Sequence, residues 1–354
     1  MKKFVAGIAV ICVALRLASF AGASEALYDW VREITSDGSL IAATLNLELG
    51  SGQAAAAQEE VYEAILPESE VQGESADAPT EYLQTVLVTK TEEERPVSVT
   101  TYADIVPITI SSDLSIRNDT GFEIDIEALA AEGLDLTLSA TQPQILIIHT
   151  HASEAYAQNP EDPYEESDPG RTEDTEYNIV RVGDELTAAL EAYGLNVIHD
   201  RGIYDFPSYT GSYSRSGAAI EAYLAQYPSI AIVIDLHRDA IGSGDSVYKT
   251  MAALPGESSA QIMLLVGTGE NGLAHPQWTE NLKLALYLQE AMDSRYPTLA
   301  RPIALKPERY NQHLTTGSLI FEVGSTGNTL QEALNAVNLF AQSAGPALAE
   351  LISP

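Results

Sequence analysis

The chain of 354 residues carries 51 acidic against 18 basic residues, a formal charge of −33 with neutral histidines, and 45% hydrophobic residues. That length accommodates about two domains and an ample core, while the charge argues against a sequence-independent nucleic-acid binder, which needs a basic stripe to displace phosphate counterions, and disfavours adhesion to an anionic membrane surface. Cys12 is the single cysteine, so an intrachain disulfide and a cysteine-based zinc site are both excluded, and any metal must sit on His, Asp or Glu.

Residues 1–23 place Lys2 and Lys3 ahead of an apolar run interrupted only by Arg16, the layout of an export signal, so the chain is expected outside the cytoplasm. Two fates stay open: cleavage near Ala21-Gly22-Ala23, or retention of residues 4–23 as a tilted single-pass anchor. Cys12 has no lipobox-like context. From Ser24 to Ala140 there are 24 acidic and 4 basic residues, too polar a segment to offset the entropy of ordering, so residues 24–100 are expected to be an acidic, largely disordered linker. Self-repulsion would keep it extended as a tether. Within it, residues 27–49 carry a moderate amphipathic pattern that fits a helix. The alternation Phe122-Glu-Ile-Asp-Ile predicts an entry strand for a folded domain spanning 101–354, with its core in 143–354.

After Pro143, short β-branched runs alternate with stretches of helical period, which predicts an α/β fold with a mostly parallel sheet flanked by helices. Strands are predicted at 145–149, 195–199, 230–236, 247–254, 262–267 and 318–323, and helices at 177–193, 214–227, 279–294 and 329–351. The first of these helices puts Ile179, Val182, Leu186 and Leu190 on one face and stops at Gly194, suited to a left-handed cap.

Polar residues gather where apolar strands end. Ile145-Leu-Ile-Ile runs into His149-Thr-His151-Ala-Ser-Glu154, Ile230-Ala-Ile-Val-Ile into Asp235-Leu-His237-Arg238-Asp239, and Ile320-Phe leads to Glu322-Val-Gly-Ser325. Ligand crevices of open α/β sheets lie beyond the carboxyl ends of strands, so three strand ends delivering His, His and Glu form a convergent pattern. Nitrogen and oxygen ligands on rigid strands suit Zn²⁺, which acidifies water, and a free carboxylate nearby can carry the proton. On a regular strand His149 and His151 point the same way, so both can reach one metal, or one can ligate while the other contacts substrate. His199 reads as a satisfied strand-end histidine, and His275 and His313 as loop residues.

Four separated motifs carry a resemblance: His149-Thr-His151-Ala-Ser-Glu154-Ala-Tyr156, Tyr177-Asn-Ile-Val-Arg-Val-Gly-Asp-Glu-Leu, Asp235-Leu-His237-Arg238-Asp239-Ala240, and Tyr310-Asn-Gln-His-Leu-Thr-Thr-Gly-Ser-Leu-Ile-Phe-Glu322-Val-Gly-Ser-Thr-Gly-Asn. In this order they resemble stage II sporulation protein P, a family of membrane-anchored cell-wall hydrolases. The resemblance implies a fold similar to zinc-dependent N-acetylmuramoyl-L-alanine amidases and cleavage of peptidoglycan between the sugar lactyl group and the peptide stem, with a possible second cut of stem crosslinks. It also implies a lytic transglycosylase and a membrane scaffold as engulfment partners. Carried over residue by residue, it makes His237 the second metal histidine and Glu322 the catalytic carboxylate. The first histidine is His149 or His151, because the amidase glycine-rich turn is absent. The acidic ligand is Glu154, favoured by its motif, or one of Glu173, Asp174 and Glu176, which precede the first helix. Arg238 and Asp239 are expected to orient substrate or buttress His237, and Asn311 and Gln312 to bind stem-peptide amides. Two other readings stay open: a zinc stem-peptide endopeptidase, and a catalytically silent peptidoglycan-binding scaffold.

Overall fold

The apolar runs after Pro143 form the middle of a seven-stranded sheet, and the helical stretches between them pack on its faces. The computed structural model describes residues 100–353 apart from 101, 103, 111–113, 244, 245 and 257, all within one unit, Pro96–Pro354. The proposed signal or anchor at 1–23, nearly all of the acidic linker, and the amphipathic stretch at 27–49 lie outside the described residues. None of the described helices is long and apolar enough to cross a membrane.

In chain order the strands are β1 (Asp104–Ile108), β2 (Ile116–Asn118), β3 (Leu138–Ser139), β4 (Ile145–Ile148), β5 (Val197–His199), β6 (Ile232–Asp239), β7 (Gly242–Ser243), β8 (Ser246–Thr250), β9 (Ile262–Gly267), β10 (Ile303–Lys306), β11 (Ser318–Ser325) and β12 (Ile352–Ser353). The helices are α1 (Ile126–Glu132), α2 (Ile179–Glu191), α3 (Ser212–Gln226), α4 (Trp278–Arg295) and α5 (Leu330–Glu350). The main sheet has the order β2-β10-β9-β11-β6-β4-β5. Every pairing in it is parallel except β9 with β11.

Local chemistry sets the helix starts. Asn178 Oδ1 accepts the Val180 amide at the head of α2, and Thr329 with Glu332 forms a reciprocal capping box on α5, each satisfying amides that the helix itself leaves unpaired. Gly194, two residues beyond the α2 cap Ala192, has φ +81°, as its place in the sequence predicts. The pattern Phe122-Glu-Ile-Asp-Ile is not a strand: Asp125 caps α1 by accepting the Ala128 amide, and the cap overrides a short alternation. The stretch predicted at 247–254 becomes β8, which leaves the main sheet for a small one of order β1-β8-β7.

Strand alternation separates two faces of the sheet. Ile232, Ile234 and Leu236 of β6, Ile262, Leu264 and Val266 of β9, and Leu319, Phe321 and Val323 of β11 face one large core with Leu186, Leu282 and Phe340 of the helices. On the other face, Leu146, Ile148 and Val233 pack with Ile220 of α3. Met263, Leu265, Ala304 and Ile320 pack there with Tyr310. Asp235 and His237 follow Val233 on this second face, and Glu322 follows Ile320.

Candidate active site

Parallel pairing of β6 with β11 sets Glu322 directly beside His237. Just past Glu322 the β11 register shifts, with Gly324 at φ +67°; such bulges re-aim side chains beside active sites. The segment after β4 then brings His151 and Glu154 over the same strand ends. His237 Nδ1 lies 3.4 Å from Glu154 Oε2, and the His151 and His237 rings meet edge to face with centroids 5.4 Å apart. His237 Nε2 is 2.9 Å from Asp235 Oδ1, out of line for a ring N–H, so it makes no hydrogen bond.

Three buried polar atoms in this cluster have no hydrogen-bond partner: His151 Nδ1, His237 Nε2 and Glu322 Oε2. Two of them still have a carboxylate nearby, Asp235 Oδ1 at 2.9 Å from His237 Nε2 and Asp205 Oδ2 at 4.0 Å from His151 Nδ1, so charge offsets part of the cost of about 1–3 kcal/mol that each buried unpaired atom carries. Among the described residues no three His, Cys, Asp or Glu side chains form a ready-made metal cage. The donor types nonetheless fit Zn²⁺: two imidazoles, each with a buried nitrogen that makes no hydrogen bond, and carboxylates beside them.

The electrostatics favour positive charge at His237. Burial alone would depress His237, but the carboxylates of Asp235 and Glu154 outweigh it and hold its pKa well above the ordinary histidine value. Burial pushes Glu154 up, yet His237, Arg238 and His151 hold it well below the usual carboxylate range. His151 moves the other way, to about 4, because burial dominates over the Glu154 charge. A proton on His237 therefore stands where a cation would compete with it, and affinity for such a cation would weaken as pH falls. Glu322 is raised to about 8, first by burial and then by the charges of Asp239 and Glu154, against the attraction of His237. Part of the Glu322 side chain reaches solvent, while Oε2 is sealed.

The structure separates the two histidines that the sequence left as alternatives. The strand ends at Ile148, so His149 and His151 do not share a direction. His149 is buried between β6 and β5, with Nδ1 3.0 Å from the Leu236 carbonyl and Nε2 2.8 Å from His199 Nε2, and burial lowers its pKa to about 3. Both its nitrogens are committed, whereas His151 belongs to the cluster. Glu154 is 6% exposed and in the cluster, while Glu173, Asp174 and Glu176 are on the surface.

Arg238 and Asp239, expected to orient substrate or buttress His237, and Asn311 and Gln312, expected to bind stem-peptide amides, each make hydrogen bonds or an ion pair within the protein. Arg238 donates its backbone N–H to Glu154 Oε2 and its guanidinium to the carbonyls of Ala155 and Gly170, which ties the 154–170 segment to β6. Asp239 pairs with Arg301 at 2.8 Å. Gln312 spans the end of β9, accepting the Gly267 amide and donating to the Leu265 carbonyl. Asn311 donates to the Tyr213 carbonyl and Ser216 Oγ. These contacts hold the walls of the site in place.

Four other residues join the cluster. Asp235 accepts both the amide and the hydroxyl of Thr150. Arg171 bridges Asp205 and Glu154, and Asp205 holds Ser153. Tyr209 stacks on His151 with centroids 4.4 Å apart and planes 7° from parallel. Asp235 was visible in the sequence as the residue two before His237 on one strand face. Arg171, Asp205 and Tyr209 come from irregular segments, and no local pattern marks them.

The family model of stage II sporulation protein P matches residues 42–344. The chain belongs to the stage II sporulation protein P family. Stage II sporulation protein P of Bacillus subtilis (strain 168) is 29% identical over 209 residues, 55% of this chain and 48% of that protein, so the chain spans about half the length of this relative. Solved structures with some likeness include the N-acetylmuramyl-L-alanine amidase Ami1 from Mycobacterium smegmatis, 12% identical, covering 59% of this chain and 96% of that one at a TM-score of 0.35. The CwlD amidase from Clostridioides difficile, in complex with the GerS lipoprotein, is 10% identical, covering 59% and 98% at a TM-score of 0.37.

Proposed function

We propose that this member of the family is an exported, zinc-dependent peptidoglycan hydrolase that cleaves the N-acetylmuramoyl-L-alanine amide. The observation that carries the reading is the gathering of His151 Nδ1, His237 Nε2 and Glu322 Oε2, all buried and without hydrogen-bond partners, at neighbouring ends of β4, β6 and β11. Family membership and the export-like layout of residues 1–23 support the substrate and the compartment. A lytic transglycosylase and a membrane scaffold are the partners the family resemblance implies.

His151, Glu154 and His237 would hold the ion. Bound zinc supplies Lewis acidity, polarising the scissile carbonyl and acidifying a water. Glu322 takes the proton of the attacking water and delivers it to the departing amine of L-alanine, leaving a carboxylate on the lactyl group; its raised pKa suits a group that must both accept and release a proton near neutral pH. Arg238 and Arg171 position Glu154 through its two oxygens.

Mass spectrometry of sacculi digested with the full chain tests this reading. New free amino termini on L-alanine are expected, and their loss in Glu322→Gln. New amines only at crosslinks would replace the amidase with the endopeptidase, and binding without products would leave a silent scaffold.

A further inference from the structure

Phe206 and Tyr209 are 46% and 58% exposed, two of the six exposed large apolar side chains among the described residues, and they stand three positions apart on the segment between β5 and α3. Exposed rings cost hydration free energy and, when clustered, mark a contact surface. This segment is not loose. Arg215 gathers the carbonyls of Tyr204, Ser208 and Thr210, and Asp205 anchors its base to Ser153 and Arg171. Tyr209 is fixed further by its stack on His151 and by the Arg171 guanidinium 5.1 Å from its ring centre. With more than half its surface in solvent, the ring keeps a bare side, held at a set angle above the cluster.

We propose that Phe206 and Tyr209 form a stacking platform for a pyranose ring of the glycan strand. The C–H face of an N-acetylated amino sugar is apolar and slightly positive, which complements the negative face of an aromatic ring. A ring fixed before binding loses little entropy on contact. The sugar is neutral, so a chain of charge −33 does not repel it as it would an acidic peptide. The position also suits the reaction, because the ring that would seat the sugar stacks directly on His151 of the cluster. The inference rests on the peptidoglycan reading and specifies which part of that substrate is gripped here.

The test is calorimetric binding of a soluble β-1,4-linked N-acetylglucosamine tetramer to the full chain, with hydrolysis of sacculi followed in parallel. Tyr209→Leu and Phe206→Leu keep apolar bulk but remove the π face, and each is expected to weaken binding about five- to tenfold. Tyr209→Phe is expected to stay within about twofold, and Tyr248→Leu, which alters an exposed ring on β8, to bind as the parent does. Unchanged affinity in both Leu variants overturns the platform, as does weakening that Tyr248→Leu matches. Weakened binding of a free stem peptide with the tetramer unaffected overturns it in favour of peptide. Tetramer binding without hydrolysis instead removes the catalytic reading and leaves the platform standing.

Discussion

Glu322→Gln is expected to make the metal-stripped protein more stable near neutral pH, with the gain growing as pH rises. The carboxyl of Glu322 is raised from its ordinary 4.5 to about 8, chiefly by burial. Between those values the folded chain keeps a proton that the unfolded chain releases, so the folded state loses stability as pH climbs through this window. Each pH unit costs about 1.4 kcal/mol, which sets an upper value of about 3 kcal/mol at pH 7. The side chain is partly exposed, and water at its edge reduces the expected gain to about 1–3 kcal/mol. Glutamine has nearly the same shape and no proton to lose, so the variant should match the wild type at pH 4 and exceed it at pH 7. Urea unfolding of both proteins in chelator at pH 4, 5.5 and 7 measures the difference directly. A constant difference across that range, or a variant less stable at pH 7, refutes the assignment of a buried, proton-holding carboxyl.

Three further substitutions test the frame around the site, each by chemical denaturation. A Cβ at Gly183 would stand 2.4 Å from His199 Nε2 and 2.7 Å from His149 Nε2, so Gly183→Ala should lose about 1–3 kcal/mol despite the better helix propensity of alanine. Thr329→Ala opens the α5 capping box and should cost about 1 kcal/mol. Asp205→Ala leaves Arg171 and Ser153 without their shared acceptor and should cost about 2–4 kcal/mol.

The sheet and its long helices were legible because their signals are redundant. Residues 262–267 form a strand with the predicted bounds, since five consecutive apolar residues ending in a glycine have no other good home, and the helix at 179–191 follows its four-residue apolar face and asparagine cap. The short β10 escaped notice because four residues carry no usable period. His237 and Glu322 stood out as polar residues inside apolar strands, where burial without a purpose is expensive. The choice between His149 and His151 was not in the sequence: it depends on the chain leaving the sheet at Ile148, and on His199 and Gly183 making a place for the His149 ring. Likewise Asn311 and Gln312 look like exposed amides in a loop until β9 and α3 arrive to take their hydrogen bonds.

Zinc content per chain, measured by elemental analysis of purified protein, tests the central claim most directly. The wild type, His149→Asn and Glu322→Gln should each hold about one zinc, and His151→Ala and His237→Ala almost none. Full zinc in His151→Ala, or a metal-free wild type after purification with zinc supplied, would contradict the account.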